Sequence, residues 1–217
     1  MGEHKYYDQA ISGAIARSAT WTGAVADGTP LTLFAPTQGA GINQRIGREV
    51  NVHKIRIFGY VQMSAIDDTT AGNVYAQGVR VLLVQDMQTN GTQMLSQDLM
   101  DGSSVNAVIT AFQNINNFGR FRVLKDKLLP LQDPNFLNDG TNATKHDVNG
   151  LIRPFKFSIN FKKPVRVRFN ATNGGTVADI VDNSFHMVAN ARTFGAADAT
   201  QPSISMSYRS RIVYTDA

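Results

Sequence analysis

Residues 153–162 read Arg153-Pro-Phe-Lys-Phe-Ser-Ile-Asn-Phe-Lys162. Phe155, Phe157, Ile159 and Phe161 alternate with Lys156, Ser158, Asn160 and Lys162. Successive side chains on a strand point to opposite faces, so this stretch has one apolar face and one polar, cationic face. A helix would scatter the same residues around its axis. The stretch therefore predicts a half-buried strand in an antiparallel sheet that packs one face on a core.

The same rhythm extends outward. Val165, Val167 and Phe169 alternate with Arg166, Arg168 and Asn170, and Pro164 is expected to separate this run from the one before it. Over 50–63 the phase slips: Val50 and Val52 are apolar at even positions, Ile55 and Ile57 at odd ones. A bulge near His53 reconciles the halves. Over 77–85, Val79, Val81 and Leu83 face one way and Arg80, Leu82 and Val84 the other, which suits an inner strand. Further strands are expected at 30–35, 119–128, 184–191 and 203–214, and a short one around Trp21 over 16–22. Most are bounded by Gly, Pro, Asn or Asp. About eight short strands read as an all-β chain, a single eight-stranded antiparallel jelly-roll β-sandwich with one short helix in a loop. The helix is placed after Ser104, with Val105, Val108, Ile109 and Phe112 on one face; a shorter turn is placed at 93–99. The segment 129–152, rich in Asp, Asn and Gly, reads as a long loop.

Composition agrees. Only two Glu, Glu3 and Glu49, occur in 217 residues, whereas a helical protein spends Glu freely. The length fits one domain over 1–217, with 1–28 read as an N-terminal extension. The absence of cysteine excludes disulfides, thiolate metal sites and a cysteine nucleophile. No apolar run approaches the ~18 residues of a membrane helix, so no membrane insertion is expected. No signal peptide is visible either.

Enzyme motifs are missing. His4, His53, His146 and His186 are scattered, without the clustered His and Glu of a cupin-type centre, so no metal, cofactor or catalytic residue is assigned. Gly39-Ala-Gly41 follows no βαβ pattern, and no P-loop or nucleophile elbow occurs. Asp133-Pro-Asn-Phe-Leu-Asn-Asp-Gly140 has oxygen ligands at the wrong spacing for an EF-hand, and Asp67-Asp68 reads as a polar turn.

The net charge of +4 suggests an anionic partner. Cations recur at strand spacing: Lys54 with Arg56, Arg120 with Arg122, Arg166 with Arg168, and Arg209 with Arg211, while Lys162 and Lys163 add to the third pair. Residues i and i+2 share a face, so each pair projects two cations away from its apolar neighbours. Such pairs can meet a nucleic-acid backbone without reading bases; they can equally be solvent-facing or interface cations partnered by Asp. Phe121, Phe155, Phe157 and Phe161 fall on apolar faces and read as core.

Gly39-Ala-Gly-Ile-Asn-Gln-Arg-Ile-Gly-Arg-Glu-Val-Asn-Val-His-Lys-Ile-Arg-Ile-Phe-Gly59 resembles the approach to the second core strand in capsid proteins of circular Rep-encoding single-stranded DNA (CRESS-DNA, circovirus-like) viruses. Val79-Arg-Val-Leu-Leu-Val-Gln-Asp-Met-Gln-Thr-Asn-Gly91 and Phe118-Gly-Arg-Phe-Arg-Val-Leu-Lys-Asp126 resemble the following strands of that family. The resemblance covers roughly 36–128, with similar strings in small plant-satellite RNA virus capsids. It implies a non-enzymatic coat protein that self-associates into a small icosahedral T=1 shell, about 60 copies under closed symmetry, around single-stranded DNA. It also implies a virion protein that assembles in the host nucleus, and it leaves the host receptor open. Such capsids usually begin with an arginine-rich arm, absent from this chain. About 60 copies at +4 bring roughly 240 charges, far fewer than a kilobase-scale genome carries, so removal of an arm is the expectation. Two other readings are a carbohydrate-binding or adhesin-like β-sandwich module, which wants exposed Trp or Tyr in a groove, and a cupin-like enzyme.

Overall fold

The computed structural model describes residues 3–15, 32–63, 76–101, 110–132, 151–194 and 203–217. Its strands are β1 (Lys5–Ala14), β2 (Glu49–Met63), β3 (Ala76–Asp86), β4 (Phe121–Gln132), β5 (Ile152–Phe169), β6 (Ile180–Asp182), β7 (Ser184–Phe194) and β8 (Ile204–Asp216). They form two antiparallel sheets, one of five strands in the order β1-β8-β2-β5-β6 and one of three in the order β4-β3-β7. Thr32 bridges His186, and the Leu33 amide donates to the Phe185 carbonyl at 2.8 Å, so the 32–33 segment extends the smaller sheet beyond β7. From β1 to β8 the chain passes repeatedly from one sheet to the other, the wrapping of a jelly roll. Short helix α1 (Ser96–Leu99) and a 3-10 turn (Ile115–Asn117) lie between β3 and β4; a second 3-10 turn (Val177–Asp179) precedes β6.

The period-two pattern becomes the core. Ile55, Ile57 and Val61 of β2, Phe155 and Phe157 of β5, and Met206, Tyr208 and Ile212 of β8 point inward. They pack against Val79, Val81 and Leu83 of β3 and Phe185, Met187 and Ala189 of β7. The phase slip in β2 is a bulge: its register against β5 and β8 shifts between Val52 and Lys54, and Val50, Val52, Ile55 and Ile57 are all fully buried. β3 is the inner strand of its sheet, with both faces buried apart from the half-buried Arg80. Its second face, Leu82 and Val84, packs with Phe121 and Val188 under Met94, Leu99, Met100 and Ala111. The smaller sheet is thus covered on its second face around Leu82 and Val84, while Leu128 of β4 stays half exposed.

Several expectations change. β5 is one strand through Pro164, although its ladder with β2 is interrupted there as expected. Val52 pairs with Val165 and Lys54 with Asn160, so residues 161–164 bulge opposite His53, and β6 pairs only with Arg168 and Phe169. Pro164 therefore sits where no ladder requires its missing N–H. The segment 1–28 is not wholly an extension, because Lys5–Ala14 pairs residue by residue with β8. Of the strand expected at 30–35, residues 30–31 lie outside the described residues, and among the rest Thr32 forms a single bridge. The 129–152 loop loses its first residues to β4, where Leu129 and Leu131 are buried. α1 occupies the short turn expected at 93–99. The 16–22 strand, most of the helix after Ser104, both acidic segments and residues 133–150 lie outside the described residues. Phe112, assigned to that helix's apolar face, is 84% exposed and outside any helix. Asn90 and Gly91 form a turn, both at positive φ (50° and 69°).

Candidate nucleic-acid interface

The outer face of the five-stranded sheet presents a flat array whose rows follow from register. Tyr6, Val213, Lys54 and Asn160 make one row; Asp8, Arg211, Arg56 and Ser158 the next. Ala10, Arg209, Phe58 and Lys156 form a third, and Ser12, Ser207, Tyr60 and Pro154 a fourth. Over these four rows five cations meet one carboxylate. Arg56 and Arg211 stand directly opposite one another in a ladder, an arrangement that costs stability in a bare sheet.

Two features make the face usable. First, aromatic rings lie between the cations: Phe58 is 55% exposed, Tyr60 42% and Tyr6 41%. Lys156 Nζ lies 4.8 Å from the Phe58 ring centroid, and the Arg211 guanidinium 5.9 Å from that of Tyr6. Second, the charges are mostly unspent. Lys54, Arg56, Lys156 and Arg209 make no ion pair among the described residues. Arg211 is held by Asp8 through a two-pronged pair at 2.8 and 2.5 Å, both side chains more than half exposed. That pair keeps the Asp8 carboxyl below its usual range. A groove of about 560 Å³ runs between Asp8, Arg56, Phe58, Arg209 and Arg211, and a second adjoins it at Tyr6 and Ile42.

The structure thus gathers Lys54, Arg56, Arg209 and Arg211 from the residues singled out in the sequence. The others stand elsewhere. Arg166 and Arg168 lie on the far part of β5, each tied to a carboxylate, Glu49 and Asp182 respectively. Lys162 and Lys163 are exposed at the β5 bulge. Arg120 and Arg122 belong to the other sheet's side. Arg120 grips the fully buried Asp86 through Nε at 3.0 Å and Nη2 at 2.9 Å, and packs over Phe121 at 4.7 Å. Lys156 and the three exposed aromatics were missed. Lys156 follows from the period-two reading of 153–162, since it lies on the cationic face; Phe58 and Tyr60 follow once the bulge sets the phase of β2.

The buried histidine has a different role. The Thr32 hydroxyl donates to Gln93 Oε1 at 2.9 Å, Gln93 Nε2 donates to His186 Nδ1 at 3.1 Å, and His186 Nε2 lies 2.5 Å from Ser184 Oγ. Because Nδ1 accepts, Nε2 carries the proton and donates to Ser184, the reverse of a general base. Complete burial pushes the His186 pKa down to about 4. Ser184, His186 and Asp86 are all buried, and Asp86 is taken up by Arg120, so this is a structural network that ties the 32–33 segment to β7. His4 and His53 meet edge to face at 5.3 Å; His53 also contacts Thr215 at 3.0 Å. Among the described residues no group of three or more His, Asp or Glu side chains could hold a metal ion, and no helix is long and apolar enough to cross a membrane.

No protein-family model matches this chain, and no curated protein matches it. The functional reading therefore rests on the sheet face and the fold.

Proposed function

We propose that this chain is a viral coat protein that self-assembles into a small icosahedral shell, with about 60 copies in T=1 symmetry, around single-stranded DNA. The observation that carries the reading is the row in which Arg56 and Arg211 face each other beside Arg209, Lys156 and exposed aromatic rings. A polyanion relieves the mutual repulsion of these cations, and base faces stack on Phe58 and Tyr60, a pairing of electrostatic groove and aromatic platform suited to single strands. The other sheet, whose second face is covered around Leu82 and Val84, contributes to the wall of the shell. In this reading the basic face lines the interior, and the protein belongs to the virion after assembly in the host nucleus.

The test is binding of a single-stranded oligonucleotide across a salt series. The four cations unpaired among the described residues predict a slope of log affinity against log salt of about −2.8, and an Arg56→Ala variant loses about 0.7 of it. Affinity that ignores salt, or that is unchanged in an Arg56→Ala/Arg209→Ala variant, contradicts this use of the face. Exposed Tyr6 and Tyr60 also suit a sugar platform, the adhesin-like alternative. Salt-insensitive binding to a neutral glycan array would select it.

A further inference from the structure

The chain carries two exposed apolar patches on its loops, and they differ in charge. The connection from β3 to β4 displays Phe112 (84% exposed), Ile115 (88%) and Phe118 (65%). Ile115 and Phe118 are three residues apart across a 3-10 turn, which places them on one side of it. The turn is rigid: Asn114 caps it at 3.0 Å, its own amide donates to the Leu99 carbonyl at 2.8 Å, and Asn117 Nδ2 donates to the Asp98 carbonyl at 3.0 Å. Exposed Asp101 borders this patch, its amide bonded to the Phe112 carbonyl at 2.9 Å, and it makes no ion pair among the described residues.

The loop leading into β2 displays Ile42 and Ile46, each 60% exposed, followed by exposed Arg48, also without an ion pair among the described residues. This loop is equally fixed. Arg45 inside it binds three carbonyls, the Ile46 amide donates to Asp216 at 3.0 Å, and Lys5 and Tyr214 both donate to the Gln44 carbonyl. The segment 170–182 touches both loops. It meets Arg45 through the Thr172 carbonyl and the β3–β4 connection through bonds from Asn90 and Gly91 to Val181 and Ile180. That segment thus links the two loops, through Arg45 on one side and Asn90–Gly91 on the other.

We infer that the Phe112–Ile115–Phe118 patch of one copy docks on the Ile42–Ile46 loop of a second copy, with Asp101 meeting Arg48. The two surfaces are unlike, complementary in charge and preformed, so the contact is head-to-tail, the kind of interface from which a ring about a rotation axis is built when the rotation closes. The inference rests on the self-assembly reading and names the surface through which assembly runs.

The experiment is analytical ultracentrifugation of the full chain over a concentration series. All altered side chains are exposed, and unchanged melting temperatures check the fold. Arg48→Asp and Asp101→Arg each raise the concentration needed for assembly about tenfold or more, and the double exchange restores it. Ile115→Asp raises it further, about a hundredfold, while the salt slope of oligonucleotide binding stays at the wild-type value. A double exchange that fails to restore assembly, or an Ile115→Asp protein that assembles like wild type, overturns the inference and leaves the coat-protein reading standing. A wild-type chain that never assembles, with or without single-stranded DNA, overturns both.

Discussion

Arg45 carries a charge into the interior, where its side chain is fully buried. Its Nε donates to the Pro36 carbonyl at 3.2 Å, its two Nη groups to the Gly47 and Thr172 carbonyls at 2.7 and 2.9 Å, and the guanidinium lies 4.5 Å above the Phe169 ring. The planar fork fits this geometry and a lysine ammonium does not. Arg45→Lys is therefore expected to cost about 1–3 kcal/mol in urea unfolding, since a buried side chain loses part of its hydrogen bonding and the Pro36 carbonyl its donor. His186 makes the complementary case, a buried group held neutral. Its folded-state pKa is depressed from 6.5 to about 4, so the unfolded chain binds the extra proton first as pH falls. The stability it contributes is complete above pH 6.5 and is lost between 6.5 and about 4, some 3 kcal/mol in all at about 1.4 kcal/mol per pH unit. Urea unfolding across that range measures it; a flat profile contradicts the buried neutral ring. Neither role was legible in the sequence. Arg45 sits in a polar turn-like string, and its carbonyl partners, Pro36 to Thr172, have no side-chain signature. His186 looked like any isolated histidine on a strand.

At the scale of elements the sequence was more informative, because burial on one face imposes a period that side-chain chemistry cannot hide. The bulge near His53 could be read from the shift of Val and Ile from even to odd positions. β1 could not: Lys5, Tyr6, Asp8, Gln9 and Ser12 dilute its pattern, and only Ile11 is a buried aliphatic. Pro164 marked the break in the ladder but not the end of the strand, because the missing amide matters only where a neighbour needs it. Gly59 marks a closer constraint. A Cβ there would stand 2.6 Å from Tyr208 Cβ, 2.7 Å from Phe155 Cζ and 2.7 Å from the Ser207 carbonyl oxygen. The two rings cross β2 at this point, and β8's backbone cannot recede without breaking its ladder. Gly59→Ala is expected to cost about 1–3 kcal/mol by overpacking, measured by thermal or urea unfolding. A neutral substitution would mean the sheets separate more easily than their packing implies.

Over the whole molecule, burial is uneven. One sheet carries a second hydrophobic layer around Leu82 and Val84, while the other offers water a face with five cations, three exposed rings and Asp8. Only part of this site could be read from the chain. The i, i+2 spacing identified cations that share a face, but the sequence does not record which pairs lie side by side or which meet a carboxylate. Arg56 and Arg211 are 155 positions apart and directly opposed; Arg166 and Arg168 had the same spacing and are tied to Glu49 and Asp182. Cross-strand register, a property of the finished fold, made the distinction. The central claim is that this sandwich builds a closed shell around single-stranded DNA. Electron microscopy of the purified chain across salt and pH, with and without a single-stranded DNA circle, tests it most directly. The account predicts uniform closed particles of about 60 copies that form at lower protein concentration with DNA and protect it from nuclease. Monomers under every condition, with the DNA left open to nuclease, would contradict it.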